Sequence, residues 1–225
     1  METLAAPTSL TRLVYERLRA DLLIGYWRPG QKLLMHQLRE RYESGASPLR
    51  ESLNRLAHEG LVVHNDQRGF VAASASTEAL ADLVRTRIEV ESLLLEKSFA
   101  KREAAWEEGI VLAFHRLSRT PRSVQADSYE ENPEWERLHR AFHFSLLGGA
   151  GAPLLLAFAE QLYDQAYRYR QLAARSAYKR RHELDEHRAL FDAVIGHRLD
   201  EARTLMVAHY ERTARLFAEA FTEAL

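Results

Sequence analysis

The sequence contains no cysteine, which excludes disulfide staples, a thiolate metal site and a thiol nucleophile. No apolar run approaches the length of a membrane span, and the N-terminus has no secretory pattern. Phosphate-loop glycines, a dinucleotide fingerprint, internal repeats and low-complexity tracts are all missing. Charge of one sign is scarce too: the formal net charge is −1, so no basic excess advertises nucleic acid. What is left is ordinary globular composition, 46% hydrophobic and 28% charged over 225 residues. That length accommodates one or two domains with a real core. The expectation is a soluble cytoplasmic protein.

Against this background one stretch stands out, Ser47 to Gly60, SPLRESLNRLAHEG. Its ends are marked. Ser47 is suited to accept a free backbone N–H as an N-cap, Pro48 follows at the first helical position, and Gly60 sits where a C-terminal cap belongs. Leu49, Leu53 and Leu56 fall at i, i+4 and i+7, which makes one apolar face. Arg50, Asn54 and Arg55 occupy the opposite face. Arg50 stands in the first turn, where the helix dipole disfavours a cation unless a phosphate lies in front of it. An ordinary solvated face is the competing explanation for that helix taken alone.

The surroundings favour the first explanation. Leu10 to Ile24 reads as an amphipathic helix with Val14, Leu18 and Leu22 inward, and a turn follows at Gly25-Tyr26-Trp27-Arg28-Pro29-Gly30. A short helix is predicted from Met35 to Tyr42. After Gly60, Leu61-Val62-Val63-His64 and Arg68-Gly69-Phe70-Val71 read as two strands around the turn Asn65-Asp66-Gln67. Three helices and a hairpin, with arginines on the third helix, describe a winged helix-turn-helix.

Residues 10–72 resemble the DNA-binding domain of the GntR family of bacterial transcription regulators. The resemblance is carried by Pro29-Gly30, Leu33, Leu38, Pro48-Leu49-Arg50-Glu51, Leu53, Arg55-Leu56, Glu59-Gly60-Leu61-Val62 and Arg68-Gly69. It implies that Arg50 contacts DNA and that Arg68-Gly69 in the wing approaches the minor groove. Ser47, Asn54, Arg55 and His36, which stands at a commonly basic position of the second helix, complete the expected DNA-binding set. The chain departs from the family at Ala46, usually an arginine, and at the Gly45-Ala46 pair, usually Ser-Arg.

Ala72-Ala73-Ser74-Ala75-Ser76 reads as a linker of small residues. It suggests a DNA-binding domain over 1–72, a linker over 73–77, and an effector-binding and dimerisation domain over 78–225. Residues 1–72 hold 10 Lys and Arg against 8 Asp and Glu, and residues 73–225 hold 21 against 24. One module so weakly basic binds DNA poorly at physiological salt, so two must act together, as in a homodimer. The second part shows only helical patterning, over 78–102, 104–119, 130–147, 153–174, 177–195 and 200–223. Breaks fall at Thr120-Pro121, Gly148 to Pro153 and Gly196, with Asp200 as an N-cap. The predicted fold is mainly α, a winged helix-turn-helix followed by an antiparallel helical bundle.

Histidines distinguish this bundle. His139 and His143 are i, i+4 and project from one helix face. His187 shares an inward stripe with Leu184, Phe191 and Val194, and His209 shares one with Ala202, Leu205 and Leu216. The last two helices form a hairpin about Gly196, and each histidine lies roughly 15 Å from the turn at about 1.5 Å per residue. This spacing lets the two face each other across the hairpin, so that four imidazoles can converge in the bundle interior. A single buried histidine is usually a hydrogen-bonded core residue, but four without partners are costly to bury. A divalent transition metal, Zn or Ni, is the economical occupant.

Residues 78–222 also resemble the all-helical (FCD-type) effector domain of the FadR-like branch of that family, through Arg85-x-x-Ile88-Glu89, Phe142-His143, Glu186-His187-Arg188 and Met206-x-x-His209. In metal-binding members an Asp and three His hold the ion, and these positions correspond here to His139, His143, His187 and His209. The Asp is therefore replaced by His139. The resemblance further implies a small carboxylate effector and assigns Arg85 a place in its pocket, with a salt bridge to Glu89 at i+4 as the plainer role for that arginine, while Tyr163, Tyr167, Arg168 and Arg170 are candidates for additional polar contacts. A solvated face is the alternative for these last residues.

Two competing functions deserve weight. A metal-dependent hydrolase would use the histidines catalytically, since H-R-A-F-H superficially resembles the H-E-x-x-H zinc protease motif. The residue needed as general base is, however, Arg140. A constitutive DNA-binding protein with a purely structural bundle would have its pocket filled by side chains. A ligand-responsive, dimeric regulator that binds a double-stranded operator accounts for more of the chain than either.

Overall fold

The computed structural model describes residues 10–65, 69–178 and 181–223. They separate into two compact units, divided between Ser76 and Thr77. The fold is mainly α, with nine α-helices and one two-stranded sheet among the described residues.

The first unit opens with α1 (Leu10–Leu23), which buries Val14, Leu18 and Leu22 against α3 (Ala46–His58), with α2 (Met35–Tyr42) between them in sequence. The leucine stripe of α3 does what its spacing requires: Leu49, Leu53 and Leu56 are completely buried. Completely burying a leucine contributes roughly 1.5–3 kcal/mol. The start of α3 corrects the expectation. The N-cap is Gly45, with extended backbone and no side-chain cap, so Ser47 is an exposed first-turn residue rather than the cap. The far end follows expectation. Gly60 takes φ +73°, which a residue with a Cβ rarely adopts. The amides of Gly60 and Leu61 then bond the carbonyls of Ala57 and Leu56 at 3.1 and 3.0 Å, closing the helix as a Schellman motif.

The wing is an antiparallel pair, β1 (Val62–Asn65) and β2 (Gly69–Ala72), each displaced one residue from the predicted span. The reason is Leu61, whose amide is already used by the helix cap. The segment before α2 runs beside β2 through Leu33 N–H to Phe70 O (2.9 Å) and Ala72 N–H to Gln31 O (2.8 Å), a pairing the sequence pattern did not announce. Below the wing, the buried Trp27 donates its indole N–H to Tyr42 Oη at 2.8 Å. Tyr42 in turn donates to Asp21, which is held by Arg41.

The second unit contains α4 (Thr77–Lys101), α5 (Ala104–Ser118), α6 (Pro133–Leu147), α7 (Pro153–Ala177), α8 (Glu183–Ile195) and α9 (Leu199–Glu223), with a 3-10 turn at Gly148–Ala150. Here α4 packs on α7 and α9, α5 on α6 and α8, and α8 on α9. Four helix starts differ from expectation, the first being α4, which begins one residue early at Thr77, inside the expected linker. α6 begins at Pro133, because the Asn132 side chain accepts the amides of Glu134 and Trp135. α8 begins only at Glu183. α9 begins at Leu199, which puts Asp200 inside the first turn rather than at the cap. In the α8–α9 turn the left-handed residue is His197, with φ +57°. Gly196 is needed there for a different reason: a Cβ would lie 2.8 Å from the Asp192 carbonyl oxygen.

Candidate functional site

The bundle interior gathers the histidines. On α6, His139 and His143 share one face at i, i+4, and α8 and α9 contribute His187 and His209. All four are buried, and one ligand nitrogen from each lies within 4.8 Å of the other three. His143 Nε2 is 3.1 Å from His139 Nε2 and 3.3 Å from His187 Nε2. Two imidazole nitrogens on one zinc ion, with bonds of about 2.0–2.1 Å at the tetrahedral angle, stand roughly 3.3 Å apart. The quartet therefore has the spacing of a ligand set.

The surrounding groups orient the rings. Tyr163 Oη lies 2.8 Å from His139 Nδ1, and Trp135 stacks on the His139 ring at 4.5 Å. His209 Nδ1 lies 2.8 Å from Glu186 Oε2, which leaves its Nε2 for the centre. A carboxylate behind a ligating imidazole fixes its tautomer and raises its basicity. Burial pushes all four imidazoles below their ordinary value, helped by neighbouring histidines and arginines, so the neutral, ligating form is favoured. For His209 the Glu186 hydrogen bond opposes that shift. Burial by itself would raise the Glu186 carboxyl, but His209 and Arg181 hold it below the usual range.

A cleft of about 510 Å³ reaches this centre from outside. Trp135, Arg122, Arg181, Glu183 and His187 are among its lining residues. The effector residues expected from sequence distribute unevenly around it. Tyr163 is buried against His139. Tyr167 is half-buried and donates to Glu131. Arg85 is a correction: its side chain is 66% exposed and pairs with Asp82 at 2.9 Å, not with Glu89. The α4 arginine that does turn inward is Arg87, paired with Glu91 at 2.7 Å and lying 4.1 Å above the Tyr210 ring. Its position was readable, because Leu80, Val84, Arg87 and Glu91 repeat at helical spacing on the buried face. Arg170 is buried beside Glu136, and Arg168 lies 4.9 Å from the Tyr169 ring centre. Arg122 and Arg181 carried no sequence signal, since both sit in irregular segments.

The residue at the general-base position of a zinc protease, Arg140, points away to Asp164 at 2.6 Å and Glu160 at 3.2 Å. It offers no base for hydrolysis.

In the first unit, His36, Ser47, Arg50, Asn54 and Arg55 are all exposed. Arg55 is already engaged, 3.8 Å above the Tyr15 ring and 3.5 Å from Glu59. Gly69 opens β2 with φ +74°, while Arg68 lies outside the described residues. No helix among the described residues is long and apolar enough to cross a membrane.

Comparison with known proteins agrees with both units. Residues 10–71 match the bacterial regulatory proteins of the gntR family, and residues 82–212 match the FCD domain. The HTH-type transcriptional repressor GlaR of Escherichia coli K12 is 33% identical over 199 residues, covering 87% of this chain and 90% of its own. The HTH-type transcriptional regulator BphR of Paraburkholderia xenovorans LB400 is 32% identical over 203 residues, covering 90% and 83%. Among solved structures, Escherichia coli McbR/YncC superposes with a TM-score of 0.71 at 18% identity, over 95% of this chain and 99% of its own. A GntR regulator from Rhodococcus sp. RHA1 gives 0.72 at 18% identity, over 94% and 99%. These two share the fold. With an exposed recognition helix in one unit and a histidine-centred bundle in the other, the chain belongs to the GntR family and is a DNA-binding transcriptional regulator of the FCD type.

Proposed function

We propose that the protein is a cytoplasmic, homodimeric regulator whose bundle holds one divalent transition metal, Zn or Ni, on His139, His143, His187 and His209. A small carboxylate entering from the cleft completes the metal's coordination and changes affinity for operator DNA. The observation that carries this reading is the packing of four buried neutral imidazoles at ligand spacing, beside a cleft lined by His187. Without an ion, His143 Nε2 has to serve two neighbouring nitrogens at once, and one imidazole edge cannot satisfy both. A divalent cation resolves that conflict.

On the DNA side, Arg50, Asn54 and Arg55 present from α3, His36 from α2 and Gly69 from the wing, and Arg68, which precedes Gly69 in sequence, completes the set. The weak positive charge of one module favours a dimer on a pseudo-palindromic duplex. The cleft argues against a purely structural bundle, and Arg140 in the place of a base argues against a hydrolase.

Linkage supplies the test. A duplex selected from a random library is titrated with metal-loaded protein, with and without each member of a carboxylic-acid panel. An active acid should change DNA affinity by some factor, and saturating DNA should change affinity for that acid by the same factor. Equal DNA affinity across the whole panel contradicts the effector reading.

A further inference from the structure

Residues 119–132 join α5 to α6 with neither helix nor strand, only an isolated bridge between Ser123 and Glu131. Connections longer than about 12 residues without secondary structure of their own are uncommon and usually functional. This one is a compact strap organised on Ser123, its one buried residue. The Ser123 hydroxyl donates to the Ser128 carbonyl at 2.8 Å and accepts the amides of Gln125 and Glu130 at 3.2 and 2.9 Å. At the base, the Asn132 side-chain amide donates to the Pro121 carbonyl at 2.7 Å and holds the two ends together. The strap keeps its shape by its own bonds and can move as one piece.

What fastens it to the bundle is polar. Tyr129 donates its hydroxyl to Gln171 on α7 at 2.6 Å, Glu131 accepts the hydroxyl of Tyr167 on α7, and Arg122 pairs with Glu183 at the start of α8. The apolar residues of the strap, Pro121, Val124 and Ala126, are all exposed. Lifting it breaks a few polar contacts that water can replace and uncovers no apolar side chain of its own. Segments with few buried apolar contacts open at the low end of a protein's stability range.

The fastening lies across the cleft described above. Leu117 to Arg122 line that cleft from the α5 side and Arg181 to His187 from the α8 side, and its lining includes the buried Trp135. The Arg122–Glu183 pair bridges the two sides, and the rings of Tyr129 and Tyr178, 5.7 Å apart, make a second contact. Arg122 also lies 5.2 Å from the ring centre of Trp135, which stacks on His139. The pair is loosely made. Among the described residues, Arg122 Nε is buried without an acceptor, and Glu183 keeps Arg181 at 3.1 Å when Arg122 leaves. Undoing the latch strands no carboxylate.

We propose that the 119–132 strap is a gate, latched by Arg122 and Tyr129, whose opening sets how fast small solutes enter and leave the histidine centre. Motions of this kind run on microsecond to millisecond timescales. A solute held equally well with the strap open or closed gains entry and exit rate by the same factor, and its affinity stays the same.

The test compares full-length Tyr129→Phe, Arg122→Gln and the double variant with wild type. In chelator-treated protein, carbethoxylation of His187 by diethylpyrocarbonate is followed by peptide mass mapping, with the exposed His115 of the same chain as reference. Losing one hydrogen bond of ordinary net strength shifts such an opening by about two- to tenfold. The rate at His187 relative to His115 should rise about threefold in Tyr129→Phe and about tenfold or more in the double variant. Amide exchange should quicken in the strap and the first turn of α8 and stay unchanged in α4 and α9. Zinc uptake, and zinc release into excess chelator, should both quicken by the factor seen at His187, with affinity kept within about threefold. A relative rate within about twofold of wild type in the double variant overturns the gate. So does exchange that quickens alike in α4 and α9, which marks a bundle loosened as a whole. Zinc affinity lost at an unchanged uptake rate makes Arg122 and Tyr129 supports of the site and overturns it too. Only the zinc measurement rests on the metal reading above: protein that takes up no zinc defeats that reading, and carbethoxylation with amide exchange still decides the gate.

Discussion

Glu186 offers a graded test of the metal centre, because it touches the quartet without belonging to it. Its Oε2 sits 2.8 Å from His209 Nδ1 and 2.8 Å from Arg181 Nη2, and its Oε1 lies 3.0 Å from Arg212. Glu186→Gln keeps an acceptor for the His209 N–H, so the tautomer survives and only the charge behind the ring is lost. Glu186→Ala removes both. Partners of this kind typically account for 10–100-fold in metal affinity, about 1.4–2.8 kcal/mol. The expectation is a loss of about tenfold for the glutamine variant and about a hundredfold for the alanine variant. Competition against a chromophoric chelator at constant pH reads both. The Arg181 guanidinium retains Glu183 at 3.1 Å in either variant, so folding should persist. Zinc affinities within about twofold of wild type in both variants would refute the idea that Glu186 acts through a metal-bound His209.

Further outcomes follow from other parts of the molecule. In chelator-treated protein, the four imidazoles are held neutral by burial, with folded-state values below the unfolded 6.5. The unfolded chain therefore binds more protons below about pH 6.5. The stability these groups contribute is fully present above that pH and is lost as pH falls beneath it, by up to about 1.4 kcal/mol per unit for each imidazole. Urea midpoints that stay flat from pH 7 to 5 contradict this. Arg50→Ala should weaken binding to the selected duplex by about 1–3 kcal/mol, while substitution of the engaged Arg55 costs stability as well as binding. Anisotropy titrations paired with melting curves separate the two. Gly196→Ala should lower the melting temperature of the bundle, since its Cβ meets the Asp192 carbonyl at 2.8 Å. A loss beyond about 1 kcal/mol is expected, and an unchanged melting curve contradicts it.

Periodic features were legible in the sequence because burial enforces them. The leucines of α3 and the i, i+4 pair on α6 are spaced so that one face must turn inward, and those side chains are buried. Features set by a single hydrogen bond were harder to read. Ser47 has the right chemistry for a cap, yet the chain turns into the helix two residues earlier, and Gly45 takes that position. The start of α6 carried a readable signal in Asn132-Pro133, a capping side chain followed by a residue without an N–H, although the expected span opened three residues earlier, at Glu130. Arg85 and Arg87 differ by two positions, roughly 200° around a helix, and only the ion pair with Glu91 on the buried stripe separates them. Arg181 was invisible because α8 starts late. Arg181 and His182, just before it, lie outside the helix, and the Arg181 guanidinium meets Glu186, Thr213 and His209.

The most direct measurement is the metal content of the wild-type protein, purified without chelator and without a metal-affinity tag, by elemental mass spectrometry. The account predicts one Zn or Ni ion per chain, lost when His143 and His187 are both replaced by alanine. A wild-type protein with less than about a tenth of an ion per chain, and no rise in melting temperature on adding either metal, would contradict it.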